Sequence, residues 1–288
     1  MAGMNTKGIT APAIRAMKGS GPIVCLTAYD APTGALLDAA GVDLVLVGDS
    51  VGNVLLGYDS TIPVTMEDML HHVRAVRRGV NRALLVADMP FMSYQSGKED
   101  ALRNAGRFLK EGADAVKLEG GSEIMESVAA LIASGIPVMG HLGLTPQRVK
   151  EYGGYRVQGK EASAAFRIWR AAKALDHAGV FSIVLEAIPR ALAGKITEAC
   201  GAPTIGIGAG PDCDGQVLVF NDLVGLTPEP PSFAKPFARG REIFMKAVKS
   251  YAGKVRSGRF PGRRGGADMM ESELKELDKM ISSATGKA

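Results

Sequence analysis

The chain has 288 residues, is 46% hydrophobic and 22% charged, and carries a formal net charge of +4, the composition of a globular protein with a substantial core. So small a charge, with acids and bases interleaved, excludes nucleic acid as the main partner, and no apolar run approaches the roughly 18 residues of a membrane span. Three cysteines, Cys25, Cys200 and Cys213, lack ligand-like spacing and fit a reducing, cytoplasmic setting better than a disulfide scaffold.

In chain order, the first stretch, MAGMNTKGITAPAIRAM, has no long apolar region of the kind a secretory leader needs; a helix is expected here, ahead of the main domain. Short apolar runs follow at IVCLTAY (23–29), DLVLVGDS (43–50), ALLVADMP (83–90) and AVKLEGG (115–121). Four more come at PVMGHLG (137–143), FSIVLEAIP (181–189), PTIGIGAG (203–210) and VLVFNDLVGL (217–226). Continuous rather than alternating hydrophobicity means burial on both faces, which is the pattern of parallel strands.

Between these runs lies helix punctuation. Thr65 with Asp68 reads as a capping box before MEDMLHHVRAVRRG, which stops at Gly79. Ser122 is placed to cap a helix ending at Gly135, and the helix from Glu161 to Ala178 stops at Gly179. Eight strands alternating with helices predict a single-domain α/β protein, a (β/α)8 TIM barrel, with a doubly wound open sheet as the rival. The barrel is expected over 1–262, and a C-terminal tail, an amphipathic helix or partly disordered segment, over 263–288.

Two connections break the rhythm. GPDCDGQ, between the seventh and eighth runs, is too short for a full helix, and LTPQRVKEYGGYRVQGK (144–160) is long enough to cover a site as a lid. Between Lys235 and Arg264 ten Lys and Arg face one acid, Glu242; a solvated helix face and subunit contact accounts for this, and attraction of an anionic ligand is the sharper alternative.

In a barrel, functional groups sit where strands end and loops open. Here those ends carry Asp49 and Ser50, Asp88, Lys117 with Glu119, His141, and Glu186. Any one of these could cap a turn or simply pack. Gathering six titratable side chains at one rim costs several kcal/mol each unless they are paired or bind something. Asp49, Asp88 and Glu119 are hard oxygen donors with no cysteine nearby, which suits Mg2+. His141 and Lys117 can offer donors to a carboxylate or a developing enolate, and Glu186 remains as general base or acid. The set suggests proton loss beside the carbonyl of a metal-held 2-oxo acid. His71 and His72 are read as structural, and the IGIGAG glycines as close backbone packing.

The segments GDSVGNVLLGYDSTIPVT, VADMPFMSY, AVKLEGG, GHLGLTPQ, LEAIP and IGIGAGPDCDGQVLVFNDLVGL, in this order from about Leu26 to Leu226, together resemble the ketopantoate hydroxymethyltransferase family. The resemblance implies a barrel of the phosphoenolpyruvate/pyruvate type and a decameric homo-oligomer. It implies transfer of a one-carbon unit from 5,10-methylenetetrahydrofolate to 2-oxoisovalerate, giving 2-dehydropantoate in pantothenate biosynthesis. It also assigns Asp49 and Asp88 to Mg2+, with Glu119 reaching the metal directly or through water. Ser50, Lys117 and His141, beside Asp49 and Asp88, would hold the oxo acid, and Glu186 would be the catalytic acid/base. A related metal-dependent 2-oxo acid lyase or mutase barrel is the alternative, and no family motif covers the tail beyond about Pro261.

Overall fold

The computed structural model describes residues 8–262 and 265–286. Eight parallel strands are formed by Ile23–Thr27 (β1), Leu44–Val47 (β2), Leu84–Asp88 (β3), Ala115–Glu119 (β4), Val138–Gly143 (β5), Ser182–Glu186 (β6), Thr204–Ile207 (β7) and Gly215–Leu218 (β8). Each pairs with the next, and β8 closes on β1 with Ile23 opposite Gly215 and Leu26 opposite Leu218. The barrel is therefore closed, and the open-sheet alternative is set aside.

Beneath the continuous apolar runs lies a period of two, because successive side chains on a strand point to opposite faces. Leu44 and Leu46, Leu84 and Val86, Ala115, Met139, Val184 and Val217 pack together as one buried cluster. Their neighbours Val45, Val47, Leu85, Ala87, Val116, Leu118, Ile183 and Leu185 join a second, larger cluster with the surrounding helices. The first group fills the barrel and the second lies between strands and helices. The helix Ala11–Ala16, capped by Thr10, adds Ala11 and Ile14 to the inner cluster beside the first residues of several strands, so it stoppers the N-terminal end. Lys18 reinforces that end by reaching Asp214 at 2.7 Å, just before β8.

The capping box at Thr65 is present, with Thr65 and Asp68 each accepting a bond from the other's backbone, and opens the helix Met66–Arg77. Gly179 ends the helix Ala162–Ala178 in the left-handed conformation. Two expectations need correcting. Ser122 caps no helix: it opens a short 3-10 turn, Ser122–Ile124, from which the helix Met125–Ala133 continues. The eighth strand begins earlier than its apolar run and ends at Leu218, and Phe220–Leu223 forms one helical turn. The Phe220 N–H there donates to Thr27 Oγ1 at 3.0 Å, a bond that takes the backbone out of the strand ladder. Residues 208–214 between β7 and β8 hold no helix, as their length requires.

The chain divides into two compact units, Met1–Ala238 and Arg239–Ala288, a division upstream of the residue-262 boundary expected from composition. The second contains the helices Gly240–Arg256 and Glu271–Thr285. Ile243, Phe244, Val248, Tyr251 and Val255 of the first helix are exposed, as are Leu274, Leu277, Met280 and Ile281 of the second. Among the described residues no helix is long and apolar enough to cross a membrane.

Removing a Thr cap typically costs about 1 kcal/mol. Thr65→Ala is therefore expected to lower unfolding free energy by that amount in urea titration, with the slope of the transition unchanged.

Candidate active site

The inward series of each strand changes character towards the carboxyl end. On β3 it runs Leu84, Val86, Asp88; on β4 Ala115, Lys117, Glu119; on β5 Met139, His141; and on β6 Val184, Glu186. Strand register sets Asp88 beside Lys117 and Glu119 beside His141. Asp49 arrives just past β2, whose last residue is Val47. Asp49, Asp88 and Glu119 each offer a carboxylate oxygen within 4.8 Å of the others, and all three are buried. The rim thus brings together five of the six charged or titratable groups expected from the sequence in a buried layer, with Glu186 partly open at 16% side-chain exposure.

Contacts within the layer are short. Lys117 Nζ donates to both oxygens of Asp88 at 2.7 Å and lies 3.7 Å from Glu119 Oε1. His141 stands between two carboxylates, Nδ1 3.2 Å from Glu119 and Nε2 3.2 Å from Glu186. Neither approach is aligned as a hydrogen bond, so both ring nitrogens and Glu119 Oε1 are buried without a hydrogen-bond partner. Ser50 turns its hydroxyl to the Tyr29 hydroxyl, 2.9 Å away. His72, expected to be structural, holds Tyr29 through a 2.7 Å contact between its Nδ1 and the Tyr29 carbonyl.

Three buried carboxylates here face one ammonium. Burial, then the charges of Asp88 and Glu119, push the Asp49 carboxyl well above the usual carboxylate range. Burial raises Asp88 as well, despite the ammonium beside it. For Glu119 burial is outweighed by His141, Lys117 and the Gln147 N–H, and its carboxyl is held low. Lys117 pays the same desolvation, yet Asp88, Glu119 and Asp49 raise its pKa above the ordinary lysine value. Burial and Lys117 favour neutral His141, but Glu119 and Glu186 prevail and push it up to about 9. A hard, all-oxygen donor set with excess negative charge and an unpartnered buried Glu119 oxygen fits a divalent cation such as Mg2+ or Mn2+ rather than a soft metal.

Sequence reasoning passed over the side chains that hold this layer in place. Gln147, 3% exposed, donates to Asp49 Oδ2 and to the Met89 carbonyl, each at 2.9 Å. The Tyr94 hydroxyl lies 2.9 Å from the Glu119 carbonyl and 2.8 Å from Gln147 Oε1. Both residues lie inside quoted motifs, yet a neutral amide and a tyrosine carry no signal of their own. The 144–160 stretch starts as a turn, Pro146–Arg148, and a short helix, Val149–Tyr152. Farther along, Tyr155 is exposed, and burial of part of its ring, then the charges of Asp49, Glu186 and Glu119, raise its hydroxyl. The Gln158 N–H of the same stretch donates to the carbonyl of Ala187 at 2.9 Å. Ala187, directly after Glu186, is in the left-handed region at φ 46°, a conformation costing roughly 1–2 kcal/mol for a residue with a Cβ. Gly143, at φ 99°, admits the Glu186 carbonyl where a Cβ would lie 2.2 Å from it. A cleft of about 300 Å³ opens on the same rim, lined by Gly120, Ser122, Thr145, Arg148, Tyr152 and Gln158 among others, and the three clustered carboxylates are not part of its wall. The IGIGAG glycines pack closely, a Cβ at Gly208 falling 2.7 Å from the Phe233 ring. Cys25 sits inside the barrel, where burial pushes its thiol up to about 12.

Comparison with known proteins bears on this geometry. The family model described as "Ketopantoate hydroxymethyltransferase" matches residues 8–263. The chain is 57% identical over 256 residues to 3-methyl-2-oxobutanoate hydroxymethyltransferase of Syntrophus aciditrophicus, covering 88% of this chain and 94% of that one. It is 58% identical over 246 residues to the protein of that name from Pyrobaculum neutrophilum, covering 85% and 94%. Among solved structures, phosphonopyruvate hydrolase in complex with oxalate and Mg++ superposes with a TM-score of 0.59 at 14% identity, covering 96% of this chain and 98% of that one. A 2,3-dimethylmalate lyase of the PEP mutase/isocitrate lyase superfamily gives 0.55 at 17% identity, covering 96% and 98%. At such identities the structures share the fold.

Breaking a buried ion pair by removing one partner costs about 3–5 kcal/mol. Lys117→Met should lose that much in chemical denaturation of cation-free protein at neutral pH. A loss under about 1 kcal/mol would mean that the pair contributes little net stability.

Proposed function

Because this chain belongs to the ketopantoate hydroxymethyltransferase family, and is thus a hydroxymethyl-transferring enzyme, we propose that it carries a one-carbon unit from 5,10-methylenetetrahydrofolate to 2-oxoisovalerate. The overall reaction consumes one water and gives 2-dehydropantoate, for pantothenate and coenzyme A synthesis, and tetrahydrofolate. The observation that carries this reading is the buried set Asp49, Asp88 and Glu119 beside the partly open Glu186. Such a set suits Mg2+ on Asp49 and Asp88, with Glu119 in direct or water-bridged contact. When bound there, the ion supplies Lewis-acid polarisation of the substrate's 2-oxo group.

The protein's own groups divide the remaining work. Glu186 removes the proton at C3 of the oxo acid, and its partial exposure fits a group that must meet substrate. His141 sets its Nε2 3.2 Å from that carboxylate, as a nearby charge rather than an aligned donor. Lys117 and His141 present positive charge towards the carboxylate and the oxygen on which negative charge develops. Ser50, held by Tyr29, lines the same mouth. Water first releases the donor's methylene group as formaldehyde, breaking both of its C–N bonds to leave tetrahydrofolate. The C3 carbanion then attacks that carbonyl carbon, and the new alkoxide takes back the proton held by Glu186 to become the product's hydroxyl. The 144–160 segment, tied to the site by the Gln147 bond to Asp49 and by the Gln158 N–H bond to the Ala187 carbonyl, shields the reacting carbon from bulk water.

A cytoplasmic setting is supported by three free cysteines. The exposed apolar side chains of the helix Gly240–Arg256 support burial against further copies of the chain, in a decamer.

Deuterium exchange at C3 of 2-oxoisovalerate in heavy water isolates the proton-removal step. Mg2+ should stimulate it, and Asp49→Ala or Glu186→Gln should slow it about 100-fold or more; variants exchanging at the wild-type rate would refute the assignment. Light scattering on a sizing column should give a mass near ten chains, and a monomeric mass would reject the assembly.

A further inference from the structure

The hydrogen-bonding capacity of Gln147 is fully used beside the candidate cation site. A primary amide has two N–H donors and an oxygen with two lone pairs. Nε2 bonds Asp49 Oδ2 and the Met89 carbonyl, each at 2.9 Å. Oε1 accepts from the Tyr94 hydroxyl at 2.8 Å and from Gln95 Nε2 at 3.0 Å. The backbone N–H of the same residue donates to Glu119 Oε2 at 3.0 Å. Reversing the amide would set its oxygen against a carboxylate and a carbonyl, so the orientation is determined by its surroundings.

One residue therefore grips one oxygen of each of two carboxylates, Asp49 just past β2 and Glu119 at the end of β4. The other oxygens, Asp49 Oδ1 and Glu119 Oε1, carry no protein hydrogen bond among the described residues, and Glu119 Oε1 is fully buried. A neutral donor suits this task better than a cation would. It orients the carboxylates without cancelling their charge, so the charge stays available to a bound ion. A carboxylate at 147 would instead add a fourth negative group to an overloaded layer. Gln147 also opens the segment 144–160, in the turn Pro146–Arg148 directly after β5.

We infer that Gln147 is the positioning residue of the divalent-cation site, presetting Asp49 and Glu119 and making the site depend on the loop that carries it. This rests on the reading of Asp49, Asp88 and Glu119 as cation ligands. Outer residues of this kind typically govern metal affinity by 10–100-fold.

The test is calorimetric titration of metal-free protein with Mn2+ and with Mg2+. Wild type should bind one cation. Gln147→Met, similar in length and retaining the backbone bond to Glu119, should bind about 10–100-fold more weakly while keeping its circular dichroism. Turnover should return towards the wild-type kcat as Mg2+ is raised, with the half-saturating Mg2+ concentration shifted by the same factor as the affinity. Undiminished cation affinity in Gln147→Met would overturn the positioning role and leave the cation site standing. Absence of cation binding in wild type would overturn the cation site itself, and the inference with it. If Gln147→Met does not fold, Gln147→Asn, whose amide is withdrawn by one methylene, is judged by the same affinities.

Discussion

Three carboxylates within 4.8 Å of one another in a buried layer repel each other, and burial magnifies the repulsion. Much of the upper barrel can be understood as an answer to that constraint. Lys117 supplies the one strong countercharge, and its ammonium clasps both oxygens of Asp88. His141 lends partial relief to Glu119. Asp49 has no cation of its own among the described residues, and its carboxyl is the one that resists ionisation most clearly. A layer left short of positive charge in this way is poised to take up a hard cation, and that deficit, more than any single residue, distinguishes it from a structural ion-pair network.

The apolar layer below makes the arrangement affordable. Leu46, Val86, Ala115, Met139 and Val184 fill the barrel beneath the polar groups, so water cannot enter from underneath and the carboxylates are held on strand ends rather than on mobile loops. The loops then supply what the strands cannot. Gln147 reaches in from the connection after β5 to hold the Asp49 carboxylate, and Tyr94, from the connection after β3, holds the Glu119 main chain and the Gln147 amide, while the left-handed Ala187 and the missing Cβ of Gly143 set the backbone around Glu186.

The strands and their polar termini were legible because parallel-strand burial leaves a long apolar signature and a charge at its end interrupts it. The capping box at Thr65 was legible for the same local reason, since both partners lie within four residues. The eighth strand was misjudged because an apolar run says nothing about where its backbone bonds go, and Phe220 donates to Thr27, a residue at the far end of the chain's sequence. Ser122 was misjudged because a cap is a matter of backbone angles, which residue type only biases. Gln147 stayed hidden for a different reason. Its role consists of five partners drawn from β2, β3, β4 and their loops, and nothing in its immediate neighbours announces them.

Closure of the barrel on itself has a consequence for how the chain is made. β1 leaves the ribosome before every other strand of the barrel, yet its second neighbour, β8, is not synthesised until Gly215–Leu218. For most of synthesis one edge of β1 lacks its partner, and Lys18 waits for Asp214 to arrive. Pairings this far apart in sequence are slow to form and leave bare edges that can recruit other chains. The nascent protein thus passes through a long interval as an open sheet, in which the last four strand residues act as the latch.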